Sequence, residues 1–363
     1  MLISQVEWRQ RTQGRENKMN YRSLGRTGVM VSELCLGCMN FGASTPEAES
    51  FAIIDRAIEA GINFFDTANV YSRGGSELIV GKALRRNGQR ERIVLATKVH
   101  GRMDDDDILA AGNSRRHIIQ QCEASLKRLQ TDYIDLYQLH RPNADIPIDE
   151  TLRALDDLIS AGKVRYIGTS SFPAWRVMEA LWAAKDLGLN RFISEQPPYH
   201  LLDRSIEREM IPMAQSYGIA IIPWSPLARG FLSGKYKRGE AIPGDSRFGS
   251  DSGRGSAFQR RRDQHFKDLS FDVLDAVQAI AAEKSRSASQ IALAWVNSKP
   301  GITAPIIGPR TMAHLEDNLG ALDVELGADD HARLDAVAEP ERATVPYYHG
   351  SMINFKPNDH AWL

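Results

Sequence analysis

The chain has 363 residues, of which 42% are apolar and 25% are charged, close to the average of globular proteins. Its 45 Lys and Arg residues and 46 Asp and Glu residues give a net charge of −1. This balance argues against binding to nucleic acid or to an anionic membrane, because both need a basic excess. No apolar run has the length of a transmembrane helix, and three cysteines cannot form a disulfide framework. We therefore expect a cytoplasmic globular protein.

From about residue 34, short apolar runs alternate with amphipathic helical patterns. The runs that predict strands cover residues 35–37, 62–66, 93–98, 133–140, 164–169, 192–195, 219–224 and 304–307. The helical patterns cover residues 50–60, 76–86, 115–129, 151–161, 174–187, 205–217, 271–283 and 288–297. Most strand ends recur about every 30 residues, which is the size of one strand and one crossover helix.

Eight such units predict a (β/α)8 TIM barrel, an α/β fold, rather than an open sheet of five or six strands. Continuous apolar runs are typical of a parallel sheet that is buried on both faces. We assign residues 19–340 to one barrel domain with long βα loops, residues 341–363 to a C-terminal tail, and residues 1–18 to a disordered extension. The last unit is the longest, and its segment 228–266 predicts an irregular loop over the barrel mouth.

Polar side chains close most of the predicted strands. They are Asp66, Lys98, His140, Ser170, Gln196 and Ser225, and Tyr71 follows Asp66 by five residues. Active sites of barrels lie at the C-terminal ends of the strands, so these side chains should meet there. A lysine near a core needs an anionic partner, and Asp66 can supply it for Lys98.

Four of these residues suggest acid–base chemistry on a carbonyl group. A tyrosine has an ordinary pKa near 10, and a neighbouring ammonium makes it a usable acid by stabilising its phenolate. Asp66 would hold Lys98 charged beside Tyr71, and a histidine can donate a hydrogen bond that orients a carbonyl oxygen. Tyr71, Lys98, Asp66 and His140 thus form a set that can protonate an oxygen while hydride reaches the carbon.

The motifs around these residues resemble the aldo-keto reductase superfamily. The matching stretches are residues 65–71 (FDTANVY), 96–98 (ATK), 136–140 (LYQLH), 168–172 (GTSSF), 196–199 (QPPY), 224–230 (WSPLARG) and 307–311 (IGPRT). They follow one another in order over some 300 residues, and residues 224–236 are most similar to the branch of bacterial reductases and potassium-channel beta subunits. The resemblance implies a barrel that reduces an aldehyde or ketone with a nicotinamide cofactor.

The same resemblance implies roles for individual residues. Tyr71 would be the proton donor, Lys98 and Asp66 would tune it, and His140 would orient the substrate. The implied cofactor contacts are Cys38, Met39, Asp66, Ser170, Ser171, Gln196, Trp224, Ser225, Pro226, Leu227, Arg229, Lys235, Arg247, Gly308, Arg310, His314, Asp317 and Asn318. Arg310 stands where the family often carries serine, and its guanidinium suits a 2′-phosphate, which favours NADPH over the alternative, NADH.

Other functions stay open at this stage. The same barrel would also suit a subunit that binds nicotinamide and reports redox state with little turnover, or an aldolase-like enzyme that forms a Schiff base on Lys98. Cys35 and Cys38 have the spacing of a redox or zinc motif, but no second ligand pair accompanies them, so we expect two buried thiols and no metal site. Residues 104–107 (DDDD) and 260–262 (RRR) are interpreted as solvated loops. Assembly as a homo-oligomer cannot be read from the sequence.

Overall fold

The computed structural model covers residues 19–244, 246–249 and 256–345, and a closed parallel sheet forms its centre. The strands are β1 Tyr21–Ser23, β2 Met30–Ser32, β3 Cys35–Gly37, β4 Phe64–Asp66, β5 Val94–Val99, β6 Ile134–Leu139, β7 Val164–Ser170, β8 Ser194–Gln196, β9 Ala220–Ile221 and β10 Ile306–Ile307. Eight of them pair in the order β10-β3-β4-β5-β6-β7-β8-β9, and each neighbouring pair is parallel.

The two ends of this sheet are joined by backbone hydrogen bonds. The amide of Thr303 donates to the carbonyl of Ile221 at 2.8 Å, and the amide of Ile306 donates to the carbonyl of Pro223 at 2.8 Å. The first bond joins β9 to the segment that leads into β10, and the second joins the segment after β9 to β10 itself. The sheet therefore closes on itself, and the predicted (β/α)8 barrel is confirmed.

Helices surround the barrel. They are α1 Glu47–Glu59, α2 Gly75–Asn87, α3 Arg115–Leu129, α4 Ile148–Ser160, α5 Ala174–Asp186, α6 Met210–Tyr217, α7 Ser256–His265, α8 Asp268–Glu283, α9 Ala288–Ser298, α10 Met312–Leu319 and α11 Ala328–Val337. Helix α4 is typical of the layer: Leu152, Leu155 and Leu158 lie on one buried face. The acidic Asp149 and Glu150 occupy its first turn, where negative charge interacts favourably with the helix dipole.

A two-stranded hairpin closes the N-terminal end of the barrel. Strands β1 and β2 are antiparallel, and Leu24 and Val31 of this hairpin are fully buried. They pack on barrel residues contributed by many strands, from Cys35 to Ile306. The turn of the hairpin contains Gly25 with φ +60°, and a Cβ atom there would lie 2.6 Å from the carbonyl oxygen of Ile193. The barrel is thus plugged at the end opposite the predicted site.

Proline positions explain where the elements differ from the sequence prediction. The predicted helix over residues 205–217 is a 3-10 turn, Ser205–Glu207, followed by the shorter α6. A longer helix is disfavoured because the Pro212 ring would clash with the carbonyl four residues earlier. Strands β9 and β10 are shorter than predicted because Pro223 and Pro305 have no amide hydrogen for a strand ladder.

The sequence did not predict every element. The hairpin β1–β2 was absent from the prediction, and so was α7, which lies in the segment expected to be irregular. Residues 228–266 also contain a 3-10 turn, Ala228–Ser233. The predicted extension at residues 1–18 and the tail beyond residue 345 lie outside the described residues, so the domain boundaries stay a prediction.

Candidate active site

A cavity of about 650 Å³ opens at the C-terminal ends of the barrel strands. Its wall includes Asp66, Ser170 and Gln196, which end β4, β7 and β8, together with Tyr71 and His140, which lie in the loops after β4 and β6. The volume lies in the range of pockets that hold cofactors and small ligands. The cavity is therefore at the end of the barrel where active sites of this fold are found.

The structure brings the four predicted acid–base residues together. The Nζ atom of the fully buried Lys98 lies 2.5 Å from Oδ2 of Asp66, 2.9 Å from the carbonyl oxygen of Thr67 and 3.3 Å from the hydroxyl of Tyr71. On its other side, the Tyr71 hydroxyl lies 3.5 Å from Nε2 of His140. The phenol is thus placed between an ammonium and an imidazole, on the cavity wall.

The carboxylate of Asp66 is held from both sides. While Oδ2 accepts from Lys98, Oδ1 accepts from Nε2 of Gln138 at 3.0 Å and from Nε2 of Gln196 at 2.9 Å. All four side chains are at least nine-tenths buried. Because the carboxylate has several donors and one counterion, its charge is compensated without water.

Burial and charge set the protonation states of Lys98 and His140. Burial alone would lower the pKa of Lys98, but the charge of Asp66 and the contact with Tyr71 outweigh it, so the pKa of Lys98 lies above its ordinary value. Burial, together with the positive charges of Lys98 and Arg141, holds the pKa of His140 well below its usual range. At neutral pH, Lys98 is therefore an ammonium ion and His140 a neutral imidazole.

The loop that carries Tyr71 has an unusual backbone. Ser72 and Arg73 have φ values of 51° and 50°, in the left-handed region that residues other than glycine rarely adopt. The hydroxyl of Ser72 donates to the carbonyl of Phe41 at 3.1 Å, and Arg73 forms an exposed ion pair with Asp105 at 2.5 Å. Such a conformation persists when the surroundings fix it, so the phenol has a defined position.

Most of the predicted cofactor contacts line the cavity. They are Met39, Asp66, Ser170, Gln196, Trp224, Ser225, Pro226, Leu227, Arg229, Lys235, Arg247, Gly308, Arg310, His314, Asp317 and Asn318. Since these residues come from segments as far apart as residues 39 and 318, the closure of the barrel is what assembles them.

Two predicted contacts do not line the cavity. Cys38 is fully buried, and its thiol lies 3.6 Å from the carbonyl oxygen of Leu36. Ser171 is also fully buried, and its hydroxyl accepts from Nη1 of Arg141 at 3.1 Å. Both follow a strand end, but the backbone there turns the side chain into the protein. The roles of these two residues in cofactor binding stay a prediction.

Some lining residues were not selected from the sequence. They are Gly37, Asn40, Arg141, Gly230, Ser233, Ser289, Leu293, Ile306 and Ile307. Asn40 donates from Nδ2 to the carbonyl of Gly308 at 3.0 Å, which joins the loops after β3 and β10. Arg141 had a signal in the sequence, because it directly follows His140 at a strand end. The others are apolar or small and give no such signal.

The cavity wall carries several cationic side chains, and this basic wall fits a phosphorylated cofactor. Arg229, Lys235, Arg247 and Arg310 all line the cavity. Burial and the charges of Lys235 and Arg310 lower the pKa of His314, so this ring is neutral and does not add to the charge. Several cations around one cavity match the phosphate groups of a dinucleotide, because guanidinium and ammonium groups bind phosphate oxygens well.

The structure argues against an aldolase-like enzyme that forms a Schiff base on Lys98. A Schiff base needs a neutral lysine amine, whereas Lys98 is an ammonium ion held by three acceptors.

Within the described residues, no group of three or more potential ligand side chains is arranged to hold a metal ion. Cys35 and Cys38 are buried, and burial raises the pKa of both well above its ordinary value, as expected for ordinary thiols. Among the described helices, none is long and apolar enough to cross a membrane.

The fold and this cavity define a (β/α)8 barrel with a buried Asp–Lys pair beside a tyrosine and a histidine at its mouth. The family model described as "Aldo/keto reductase family" matches residues 33–339. The chain belongs to the aldo/keto reductase family, and the resemblance seen in the sequence is confirmed.

Individual relatives agree with this assignment. An uncharacterized oxidoreductase, YrpG, of Bacillus subtilis is 40% identical over 320 residues, which cover 85% of this chain and 92% of the relative. A probable voltage-gated potassium channel subunit beta of Oryza sativa is 38% identical over 310 residues (84% and 92%). Versiconal hemiacetal acetate reductase of Aspergillus parasiticus is 36% identical over 346 residues (89% and 98%).

Proposed function

We propose that this protein is an NADPH-dependent oxidoreductase that reduces an aldehyde or ketone to an alcohol. The observation that carries the proposal is the position of the Tyr71 hydroxyl on the cavity wall, 3.3 Å from Nζ of Lys98 and 3.5 Å from Nε2 of His140. Two relatives named as an oxidoreductase and as a reductase also support it.

The residues of the basic wall would hold the cofactor. Lys235, with the loop at Ser225, would contact the pyrophosphate, Arg310 the 2′-phosphate, and Arg247 the adenosine end, while Trp224 would stack on the nicotinamide ring. When bound, NADPH supplies the hydride that adds to the carbonyl carbon. The choice of NADPH over NADH depends on Arg310, because a guanidinium can form two hydrogen bonds with a phosphate group.

The chain's own residues handle the proton. Tyr71 donates its proton to the carbonyl oxygen, and the ammonium of Lys98 stabilises the phenolate that remains. Asp66 keeps Lys98 charged and in place. The neutral imidazole of His140 donates an N–H group to the same carbonyl oxygen and orients it toward Tyr71. In the reverse direction, the phenolate accepts the proton of the alcohol.

The test is to mix the purified protein with NADPH and a panel of reactive aldehydes, and to follow the loss of nicotinamide absorbance. We expect turnover by the wild type and a loss of about 100-fold or more in kcat for Tyr71→Phe, which is the usual scale of general acid catalysis. Tyr217→Phe is the matched control, since Tyr217 lies on the surface with 47% exposure. Full activity in Tyr71→Phe would refute the assigned acid.

The same experiment distinguishes a reductase from the alternative function, a nicotinamide-binding subunit with little turnover. If NADPH stays bound through purification in a 1:1 ratio but no carbonyl compound is reduced, the protein is better described as a nicotinamide-binding, redox-sensing subunit. A small carbonyl substrate and a cytoplasmic location are parts of the proposal. Gel filtration can decide the oligomeric state, which the sequence leaves open.

A further inference from the structure

A buried glutamate lies behind the cavity wall, next to Gln196. Glu195 is in the middle of β8 and is fully buried. Its Oε1 accepts from the amide of Phe172 at 3.1 Å, while Oε2 has no hydrogen-bond partner in the described residues. The facing residue of β9 is the apolar Ile221. The proposed mechanism gives this carboxyl group no role.

The surroundings favour the neutral form of Glu195. Burial raises its pKa to about 8, although the nearby polar groups of Thr169, Phe172 and Ser171 and the charge of Arg141 pull the pKa the other way. Arg141 is a charged side chain that acts on this carboxyl group. The group is therefore mostly protonated at neutral pH and ionises in mildly alkaline solution.

A chain of hydrogen bonds leads from Glu195 to His140. Glu195 holds the turn at Ser171 and Phe172, where Ser171 has a left-handed φ of 59°. The hydroxyl of Ser171 accepts from Nη1 of Arg141 at 3.1 Å, and the same Nη1 donates to the carbonyl oxygen of His140 at 2.6 Å. Arg141 lines the cavity beside His140. A change at Glu195 can thus reach His140 through three hydrogen bonds and the Ser171–Phe172 turn.

We propose that Glu195 is a positioning residue, which acts through the Ser171–Phe172 turn and Arg141 to fix His140 beside Tyr71. In its neutral form, Glu195 leaves the guanidinium of Arg141 shared between Ser171 and His140. In its ionised form, it attracts this guanidinium and weakens the bond to the His140 carbonyl. The inference rests on the proposed function, because it concerns the step in which Tyr71 and His140 act on the carbonyl oxygen.

The experiment compares the pH dependence of kcat in the wild type and in Glu195→Gln. Glutamine has the same shape and cannot ionise. We expect kcat within about twofold of the wild type at pH 7 and loss of one alkaline ionisation near pH 8. All other ionisable groups are the same in both enzymes, so the difference between the profiles isolates Glu195. Glu33→Gln, at the plugged end of the barrel, is the control and should keep the wild-type profile.

Two further measurements keep the inference falsifiable. In Ser171→Ala, which cuts the link to Arg141, we expect kcat to fall about tenfold with little change in KM, the size of effect of a lost hydrogen bond to a charged group. Infrared difference spectra of the wild type should show a buried protonated carboxyl group that disappears above pH 8, and Glu195→Gln should lack this signal. This second readout needs no turnover.

The outcomes are distinguishable. If the wild type reduces no carbonyl compound, the proposed function fails. If it does, but Glu195→Gln and the wild type have the same pH profile, the positioning role of Glu195 is overturned. An unchanged kcat in Ser171→Ala overturns the path through Arg141.

Discussion

Replacing Asp66 by asparagine tests the buried ion pair most directly. The carboxylate accepts from Lys98 at 2.5 Å and from the amides of Gln138 and Gln196 at 3.0 and 2.9 Å. In Asp66→Asn, the new NH₂ group must face either the ammonium of Lys98 or the NH₂ groups of Gln138 and Gln196. All of these groups are donors, so one donor is left facing another. Removing one partner of a buried pair typically costs about 3–5 kcal/mol. We therefore expect the free energy of unfolding at pH 7 to fall by about that amount.

The loss should depend on pH in a defined direction. In the wild type, the raised pKa of Lys98 contributes stability below pH 10.5 that is lost only at higher pH. In Asp66→Asn, burial without a counterion lowers this pKa below its ordinary value. The unfolded chain then binds more protons than the folded one, so the stability of the variant should rise between pH 7 and pH 10. Its deficit relative to the wild type should shrink over this range.

Urea unfolding followed by tryptophan fluorescence measures both effects. Glu316→Gln is a matched control, because it makes the same change in an exposed ion pair, with Arg56. Such surface pairs contribute little, so no comparable loss is expected. The double variant Asp66→Asn/Lys98→Met should be more stable than Asp66→Asn, since it removes the uncompensated charge. A loss under 1 kcal/mol in Asp66→Asn, or one independent of pH, would refute the reasoning.

Three further predictions concern the cofactor and the barrel. Arg310→Ser should raise the Kd for NADPH, measured by tryptophan quenching, by about 10- to 100-fold and leave the Kd for NADH unchanged, because one charged hydrogen-bonding group is lost; equal losses for both would contradict this. In Gly168→Ala, the new Cβ would lie 2.2 Å from Oγ of Ser194, so urea unfolding should show a loss of about 1–3 kcal/mol that Ser194→Gly largely restores. Leu24→Ala in the plug should cost about 2–5 kcal/mol in the same assay, whereas Met30→Ala, with 41% exposure, should change little.

The barrel was predictable because each unit repeats the same pattern. A buried run such as Ile134–Leu139 and a one-sided helix such as Ile148–Ser160 differ in period, so their alternation could be read directly. The hairpin β1–β2 could not be read in this way. Its strands have three residues each with mixed exposure, and the burial of Leu24 and Val31 comes from docking on the barrel.

The site was predictable where position in a strand decides it. Asp66 is the last residue of β4 and Lys98 the penultimate residue of β5, and a parallel barrel brings strand ends to one rim. Position alone did not give the direction of the side chains after a strand end. Cys38 and Ser171 follow strand ends, but both are fully buried and do not line the cavity, and Ser171 has a left-handed φ of 59°. Arg141 was missed since an arginine in a loop is usually solvated.

The plugging hairpin has a consequence for the order of folding. Its buried residues Leu24 and Val31 pack on side chains contributed by strands up to Ile306. The ribosome makes the hairpin before any of those strands, yet its docking surface is complete only when the ring has closed. During synthesis, the docking surface of this hairpin is complete only after 275 further residues, from Val31 to Ile306, have been added, so its docking should report the last stage of folding.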